Sequence, residues 1–178
     1  VSKLSEFKIA VRSIPGIYDL ARGKSQISNI TDLEIDDLLG RNEVKPFELL
    51  MKKNIYSKSI LVTGSGGSIG SELCRQIISM NPIKLIIIDF CEFNLYKIYE
   101  ELKELKNSET TLVAKLLNAK NQIKLEDIFK EHKIKIVYHA AAYKHVPLVE
   151  INKTEGIRNN LVTTSAVSMA AIKNNVDK

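Results

Sequence analysis

Short apolar runs alternate with longer amphipathic segments from residue 58 to the end of the chain. The apolar runs lie at 60–63, 84–89, 111–117 and 134–139. The amphipathic segments lie at 68–80, about 93–106, 123–132 and 153–174. Continuous apolar strands separated by amphipathic helices predict an α/β fold, with a parallel sheet covered by helices on both faces.

The first third of the chain has a different pattern. Turn residues such as Pro15 interrupt it, and Pro46 is predicted to open a helix that runs through Met51. We therefore expect an N-terminal extension over 1–57 that packs on a main domain over 58–178. Nothing in the extension has the pattern of a catalytic site.

A glycine-rich turn follows the first strand of the main domain. The stretch from Lys58 to Ser71 reads K-S-I-L-V-T-G-S-G-G-S-I-G-S, with glycines at 64, 67 and 70. Glycines allow backbone angles closed to other residues, close approach of a pyrophosphate and close packing of helix on strand. The positive end of the helix then holds the anion. A turn that is glycine-rich by chance is the alternative, and the flanking strand and helix disfavour it.

An acidic residue, Asp89, ends the second strand, 25 positions after Gly64. A carboxylate at this place can accept hydrogen bonds from the adenosine ribose hydroxyls of a dinucleotide. It would repel the extra phosphate of NADP, which favours NAD as the cofactor. An N-cap for the next helix is the alternative role, and the two roles are compatible.

Composition and charge exclude several classes of protein. The chain has 178 residues, a net charge of +5 and a pI near 9.1, but its lysines are interspersed with glutamates, so we expect no nucleic-acid partner. No apolar run is long enough for a membrane span, and the polar start is not a signal peptide. Cys74 and Cys91 lack metal-ligand spacing, so we expect no metal site and a reducing, cytoplasmic location.

Four motifs together carry a family resemblance. They are T-G-S-G-G-S-I-G-S-E-L-C-R-Q-I at 63–77, D-F-C-E-F-N-L-Y at 89–96, H-A-A-A-Y-K-H-V-P-L-V-E at 139–150 and N-N-L-V-T-T at 159–164. They resemble the CapD-like polysaccharide-biosynthesis nucleotide-sugar 4,6-dehydratases, a branch of the extended short-chain dehydrogenase/reductases with a Rossmann-type domain. The extension resembles the segment before that domain in the large membrane-anchored members. Membrane contact is expected only through an N-terminal region of those members that this chain does not include.

The resemblance implies an activity in bacterial surface polysaccharide biosynthesis. A nicotinamide cofactor takes a hydride from C4 of a UDP-linked amino sugar, water leaves across C5 and C6, and the hydride returns to C6. The expected small-molecule partners are therefore NAD and a nucleotide-diphosphate sugar.

The resemblance also implies roles for individual residues. The residues expected to hold the pyrophosphate are Gly64, Ser65, Gly67, Ser68, Ile69 and Gly70. The residues expected to form the floor beside the cofactor are Ala140, Ala141 and Ala142. Asn160 is expected to support the active-site strand as part of the cofactor site. Lys144 and His145 are expected near the sugar nucleotide, and a purely structural role is the alternative for either.

The chain departs from the family pattern in two places. Leu117 and Asn118 stand where the family usually has Gly-Asp, although the amide oxygen of Asn118 can still accept from the adenine amino group. The family's catalytic segment and sugar-binding lobe are expected after Lys178. We therefore expect a Rossmann domain that is incomplete at its C-terminal side, no catalytic residue in this chain and no turnover by the chain alone. Tyr99 and Lys103 form a Y-x-x-x-K pair that we expect on a solvated helix surface.

Two alternatives remain open from the sequence. One is a fragment of a nucleotide-sugar epimerase, which shares the cofactor half. The other is a non-catalytic dinucleotide-binding or interaction module, including the remnant of a broken gene. In the expected strand order the run 134–139 forms an open edge, so we also expect self-association or pairing with a C-terminal catalytic half.

Overall fold

The computed structural model describes Arg12–Ser13, Thr31–Asp32 and residues 47–178. The chain divides into two compact units, Val1–Pro46 and Phe47–Lys178. In the first unit, strand β1 (Arg12–Ser13) pairs antiparallel with β2 (Thr31–Asp32). The predicted turn at Pro15 and the helix start at Pro46 lie outside the described residues.

The second unit contains a parallel sheet flanked by helices. In chain order its elements are α1 (Glu48–Ile55), β3 (Ser59–Thr63), α2 (Ser68–Ser79), β4 (Lys84–Asp89), α3 (Glu92–Leu105), β5 (Thr111–Leu116), α4 (Gln122–His132), β6 (Ile136–His139), α5 (Val146–Ile151) and α6 (Lys153–Lys173). The sheet order is β5-β4-β3-β6, and all three pairings are parallel. The predicted Rossmann-type α/β fold is confirmed.

Alternate residues of the central strands enter two separate cores. Ile60 and Val62 of β3 face α1, α2 and α3, whereas Leu61 faces α4 and α6. Every residue of β3 is buried. Because helices cover both faces, these strands are continuously apolar rather than alternating. Ile55 of α1 is fully buried in the first core, which places this helix with the second unit.

The fourth strand of this sheet begins later than predicted. Lys133 adopts a left-handed conformation, φ 51°, and ends α4, while the backbone N–H of Ile134 donates to the carbonyl of Phe129 at 3.1 Å. Residues 133 and 134 thus complete a helix C-terminus, so β6 starts at Ile136.

Two local predictions about the last helices fail. Helix α5 was not predicted from the sequence. It has six residues with Pro147 in its first turn, which is too short to show helical periodicity. The spacing of Asn152 and Glu155 also predicts a capping box at the start of α6, and this prediction is wrong because no side-chain cap forms there. The amide of Asn152 donates to the carbonyl of Leu148 at 3.0 Å, and Glu155 forms an ion pair with Lys120 at 3.3 Å.

The outer edge of β6 is partly covered by the last residues of the chain. The N–H of Asp177 donates to the carbonyl of Lys135, and the N–H of Val137 donates to the carbonyl of Lys178, both at 2.9 Å. The rest of this edge pairs with no strand among the described residues. No helix in the described ranges is both long and apolar enough to cross a membrane.

Candidate dinucleotide site

A crevice opens at the carboxyl ends of β3, β4, β5 and β6, where ligands of open α/β sheets bind. Residues from all four strand ends line it, together with α6. The lining residues are Gly64, Gly67, Ile88, Asp89, Phe90, Cys91, Asn94, Leu117, Asn118, Ala119, Ala140, Ala141, Ala142, Tyr143, Asn159 and Thr163. The predicted glycine turn, acidic residue and alanine floor therefore meet in one place.

The glycine turn combines a left-handed backbone conformation with contacts too close for a side chain. Gly64 has a φ of 66°, and a Cβ there would lie 2.7 Å from the Cα of Ala141. A Cβ on Gly70 would overlap the carbonyl oxygen of Gly64, so α2 packs directly against the turn. A Cβ on Gly67 would meet only the Gly64 oxygen, at 3.3 Å. Gly64 and Gly70 are therefore needed for folding, whereas Gly67 keeps the crevice open.

A fourth glycine, Gly66, has a role that the sequence reading missed. Its backbone N–H donates to Oδ2 of Asp89 at 2.9 Å, and a Cβ there would lie 2.5 Å from the Cβ of Asn94. The turn is thus fastened to the end of β4 and to the start of α3. The only signal in the sequence was the adjacent pair of glycines at 66 and 67.

Both carboxylate oxygens of Asp89 are held by backbone donors. Oδ2 accepts from Gly66, and Oδ1 accepts from the N–H of Cys91 at 2.9 Å. The N-cap of α3 is Cys91, so Asp89 does not occupy that position itself. Asp89 is only 6% exposed and lines the crevice. Each oxygen retains a further lone pair that can accept from a ligand hydroxyl.

The floor of the crevice continues from β6 and is fixed from α6. The N–H of Ala140 donates to the carbonyl of Thr63 at 3.1 Å. Further along, Oδ1 of Asn160 accepts from the N–H of Tyr143 at 2.8 Å, and its Nδ2 donates to the Tyr143 carbonyl at 3.1 Å. Asn160 thus clamps the loop after β6 without lining the crevice, while Asn159 from the same helix turn does line it.

The structure separates Lys144 from His145. The ammonium of Lys144 donates to the hydroxyl of Ser68, at the start of α2 beside the glycine turn. His145 lies in a second depression between α5 and α6, with Leu148 and Gly156 among its neighbours. Tyr143 lines both depressions, so the two sites are adjacent.

Three other predicted cofactor residues have specific surroundings. The N–H of Ser65 donates to the carbonyl of Ile88 at 3.1 Å, and its buried hydroxyl has no hydrogen-bond partner in the described part of the chain. Ile69 is 58% exposed, outside the crevice lining. Asn118 lines the crevice, and its Oδ1 accepts from the N–H of Lys120 at 3.0 Å. Among the predicted phosphate-holding residues, Ser65 has the least freedom to contact a ligand.

The Y-x-x-x-K pair of Tyr99 and Lys103 lies outside the site, as we expected. The Nζ of Lys103 pairs with Glu100 at 3.2 Å and lies 5.8 Å from the ring centroid of Tyr99, and neither residue of this pair lines the crevice. Both cysteines are free thiols, and burial raises the pKa of Cys74 to about 12. The described ranges contain no cluster of three potential metal ligands.

Comparison with known proteins agrees with this geometry. Residues 60–178 match the family model described as "Polysaccharide biosynthesis protein". The chain is 39% identical over 165 residues to the capsular polysaccharide biosynthesis protein CapD of Staphylococcus aureus, a match covering 93% of this chain and 28% of that protein. It is 34% identical over 163 residues to the probable polysaccharide biosynthesis protein EpsC of Bacillus subtilis, covering 92% and 27%. The chain thus spans little more than a quarter of the length of these relatives.

Solved structures share the fold at lower identity. The UDP-glucose 4-epimerase of Stenotrophomonas maltophila, solved with NAD and formylated UDP-arabinopyranose, superposes with a TM-score of 0.60 at 23% identity, covering 67% of this chain and 34% of that one. The epimerase of Bifidobacterium longum, solved with NAD+ and UDP, gives 0.57 at 22% identity, covering 66% and 34%. The second unit is therefore a Rossmann-type α/β domain. The chain belongs to the polysaccharide biosynthesis protein family, and the predicted CapD-like relationship is confirmed.

Proposed function

We propose that residues 47–178 bind NAD and form the cofactor-binding half of a nucleotide-sugar 4,6-dehydratase in bacterial surface polysaccharide biosynthesis. The observation that carries the proposal is the joint position of Asp89 and the glycine turn. The turn and the alanine floor form a cradle in which a Cβ at Gly64 would meet the Ala141 backbone, and Asp89 is fastened to the turn through Gly66. Such a cradle with a buried acceptor beside it fits a dinucleotide.

The first turn of α2 supplies the anion site of this proposal. Ser68, Ile69 and Gly70 are its first residues, and the N–H groups of a helix start have no acceptor within the helix. With the helix dipole they attract a phosphate. Ile69 thus contributes through its backbone although its side chain is exposed. Lys144, held at Ser68, adds a positive charge at the same point.

The remaining residues orient the ligand. Asp89 accepts from the ribose of the adenosine, Asn118 accepts from the adenine amino group, and the Ala140–Ala142 floor leaves room for the nicotinamide half. The nicotinamide ring supplies a hydride acceptor and donor when bound. Lys144 and His145 remain our proposed contacts to a nucleotide-diphosphate sugar, with Lys144 equally placed for a phosphate of the cofactor.

Sugar-nucleotide epimerase is the second candidate. The observation in its favour is the superposition on UDP-glucose 4-epimerases. A non-catalytic dinucleotide-binding module is the third. We propose a cytoplasmic location because Cys74 and Cys91 are free. A partner that supplies catalytic groups is also part of the proposal, because we assign no catalytic residue in this chain.

A calorimetric titration of the 178-residue chain with NAD and, separately, NADP tests the proposal. We expect saturable binding with preference for NAD. Asp89→Asn should weaken binding at least tenfold, because its amide nitrogen faces a backbone donor and its geometry at the ribose is disturbed. Glu100→Gln, on the exposed surface of α3, is the matched control and should bind like the parent chain. Absence of binding to both dinucleotides would contradict the proposal.

The reaction class needs a second measurement. The chain, mixed with the complementary C-terminal region of a relative, would be incubated with NAD and a UDP-linked N-acetyl amino sugar. If mass spectrometry detects loss of water from the sugar, the result supports the dehydratase. A change of configuration at C4 without loss of mass supports the epimerase, and no reaction with intact NAD binding supports the non-catalytic module.

A further inference from the structure

One imidazole joins three elements at the mouth of the crevice. His139 ends β6 directly opposite Thr63, which ends β3. Its Nδ1 lies 2.7 Å from the hydroxyl oxygen of Thr63, and its Nε2 lies 3.2 Å from the hydroxyl oxygen of Thr164 on α6. The histidine therefore links the two strand ends to the helix that covers them.

This link stands where the two walls of the crevice begin to separate. After Thr63 the chain turns at Gly64, and after His139 it enters the floor at Ala140. The backbones of Gly64 and Ala141 are close enough that a Cβ on Gly64 would lie 2.7 Å from the Ala141 backbone nitrogen. A small shift of one strand end against the other would therefore change the space for a dinucleotide.

The imidazole suits this position when it is neutral. Burial lowers its pKa, and no charged side chain of the described residues contributes to that effect. The groups that face it from β3 and α6 are the hydroxyls of Thr63 and Thr164. A hydroxyl can donate or accept, so both hydrogen bonds form with either neutral tautomer. Thr63 itself is fully buried, so its hydroxyl has no solvent alternative.

We propose that His139 is a positioning residue for the dinucleotide. By bridging Thr63 to Thr164, it holds the glycine turn at the separation from the alanine floor that the cofactor requires. The inference rests on the proposed cofactor binding and assigns a role to a residue outside the crevice lining. The Thr63 bond is the shorter one and reaches the strand that leads into the turn, so it carries the positioning effect.

Two amide substitutions separate the two hydrogen bonds. In His139→Asn the amide reaches about as far as Nδ1 and can bond Thr63, whereas in His139→Gln it reaches about as far as Nε2 and can bond Thr164. We expect His139→Asn to keep the NAD dissociation constant within about threefold of the parent chain. His139→Gln should raise it at least tenfold. Urea unfolding of both variants shows whether they lose stability equally.

A second readout needs no ligand. In 15N-labelled chain without NAD, the amide signals of Gly64 and Gly67 should move in His139→Gln and in Thr63→Val, and stay near the parent positions in His139→Asn. Thr164→Val is the matched control and should move them less than Thr63→Val. If His139→Gln fails to fold, Thr63→Val decides the question by the same two measurements.

The outcomes distinguish the two proposals. If the parent chain binds neither NAD nor NADP, the proposed function fails, and the glycine signals alone test the positioning role. If the parent chain binds NAD and both His139 variants and Thr63→Val bind it equally well with unmoved glycine signals, the inference is overturned. Equal weakening in the two amide variants would also overturn it, because the Thr63 bond would then have no special effect.

Discussion

The two sides of the crevice differ in how completely they are packed. On one side, β3 and β4 with α2 and α3 form a continuous core, and β3 is buried throughout. On the other side, only Ile136 of β6 is fully buried, and α5 contributes no buried residue. The exposed large apolar residues of α5 and α6 are Val146, Leu148, Ile151, Ile157, Leu161, Val162, Met169 and Ile172.

Under the proposed function, this difference separates what the domain does alone from what other surfaces supply. The glycine turn and Asp89 stand on the well-packed side, where the geometry for a dinucleotide is fixed by local contacts. The floor and the depression around His145 stand on the side that keeps apolar surface exposed. We infer that cofactor binding is intrinsic to this unit and that the sugar side is completed by other surfaces.

Truncation of a leucine on each side should give the largest contrast. Leu85 in β4 is fully buried, so Leu85→Ala should lower the free energy of unfolding by about 3 kcal/mol. Leu148 in α5 is 60% exposed, so Leu148→Ala should change the free energy of unfolding by less than about 0.5 kcal/mol. Urea denaturation measures both. Equal losses would show that α5 is packed as tightly as the sheet.

Two glycines of the turn should separate folding from ligand binding. Gly70→Ala forces a Cβ onto the Gly64 carbonyl and should cost about 2 kcal/mol of unfolding free energy. Gly67→Ala meets only a 3.3 Å neighbour, so it should fold nearly as well, yet weaken NAD binding because the added methyl enters the crevice. Paired denaturation and titration check this. If only Gly67→Ala lost stability, the roles of the two glycines in folding and in ligand binding would be reversed.

Self-association should originate on the less packed side. The free part of the β6 edge and the exposed leucine Leu161 favour contact with a second copy of the chain. Leu161→Asp should therefore shift sedimentation toward the monomer at micromolar concentration. Leu116 on the opposite edge strand is 59% exposed, against 67% for Leu161, and Leu116→Asp is the control that should not cause this shift. A parent chain that is monomeric and melts sharply at high temperature would refute the prediction.

On the well-packed side, removal of one buried hydroxyl should increase the free energy of unfolding, by less than the losses predicted above. Ser65 is fully buried and its Oγ has no hydrogen-bond partner among the described residues. Ser65→Ala should therefore raise the free energy of unfolding by about 1 kcal/mol. Ser79→Ala removes a hydroxyl that is exposed and bonded to the Gln76 carbonyl, and it should not stabilise the chain. A loss of stability in Ser65→Ala would indicate a partner that the geometry does not show.

The smallest expected effect is a pH dependence from His132 at the end of α4. Burial lowers its pKa below the ordinary 6.5, so the unfolded chain binds a proton there before the folded chain does. The free energy of unfolding should consequently fall as the pH decreases from 7 through 6.5 and below. His139, also shifted down by burial, adds to the same trend. His132→Leu should flatten the profile measured by urea unfolding, and an unchanged slope would contradict this assignment.

The sequence predicted the sheet well because its signals are local and repeated. Buried strands such as β4 and the glycine turn before α2 each require a specific residue type at a specific place. The start of β6 was predicted two residues too early because Lys133 has a left-handed conformation, which lysine rarely adopts. The family resemblance added the alanine floor, which has no chemical signature of its own.

The contacts that fasten the site together could not be predicted. The bond from Gly66 to Asp89 joins residues 23 positions apart, and the clamp from Asn160 to Tyr143 joins residues 17 apart. Periodicity reports which face a residue occupies but carries no information about such pairings. The capping box of Asn152 and Glu155 does not form for the same reason, because Asn152 donates to the Leu148 carbonyl and Glu155 accepts from Lys120.

The way Asp89 is held has a thermodynamic consequence. Its two backbone bonds fix the side chain before any ligand arrives. Immobilising a flexible side chain on binding costs roughly 0.5–1.5 kcal/mol, and this carboxylate has already lost that freedom during folding. A ribose that forms hydrogen bonds with Asp89 therefore finds an acceptor already in place. The conformational entropy of the protein changes little at this contact, so the affinity depends mainly on how well the ribose hydroxyls fit the carboxylate.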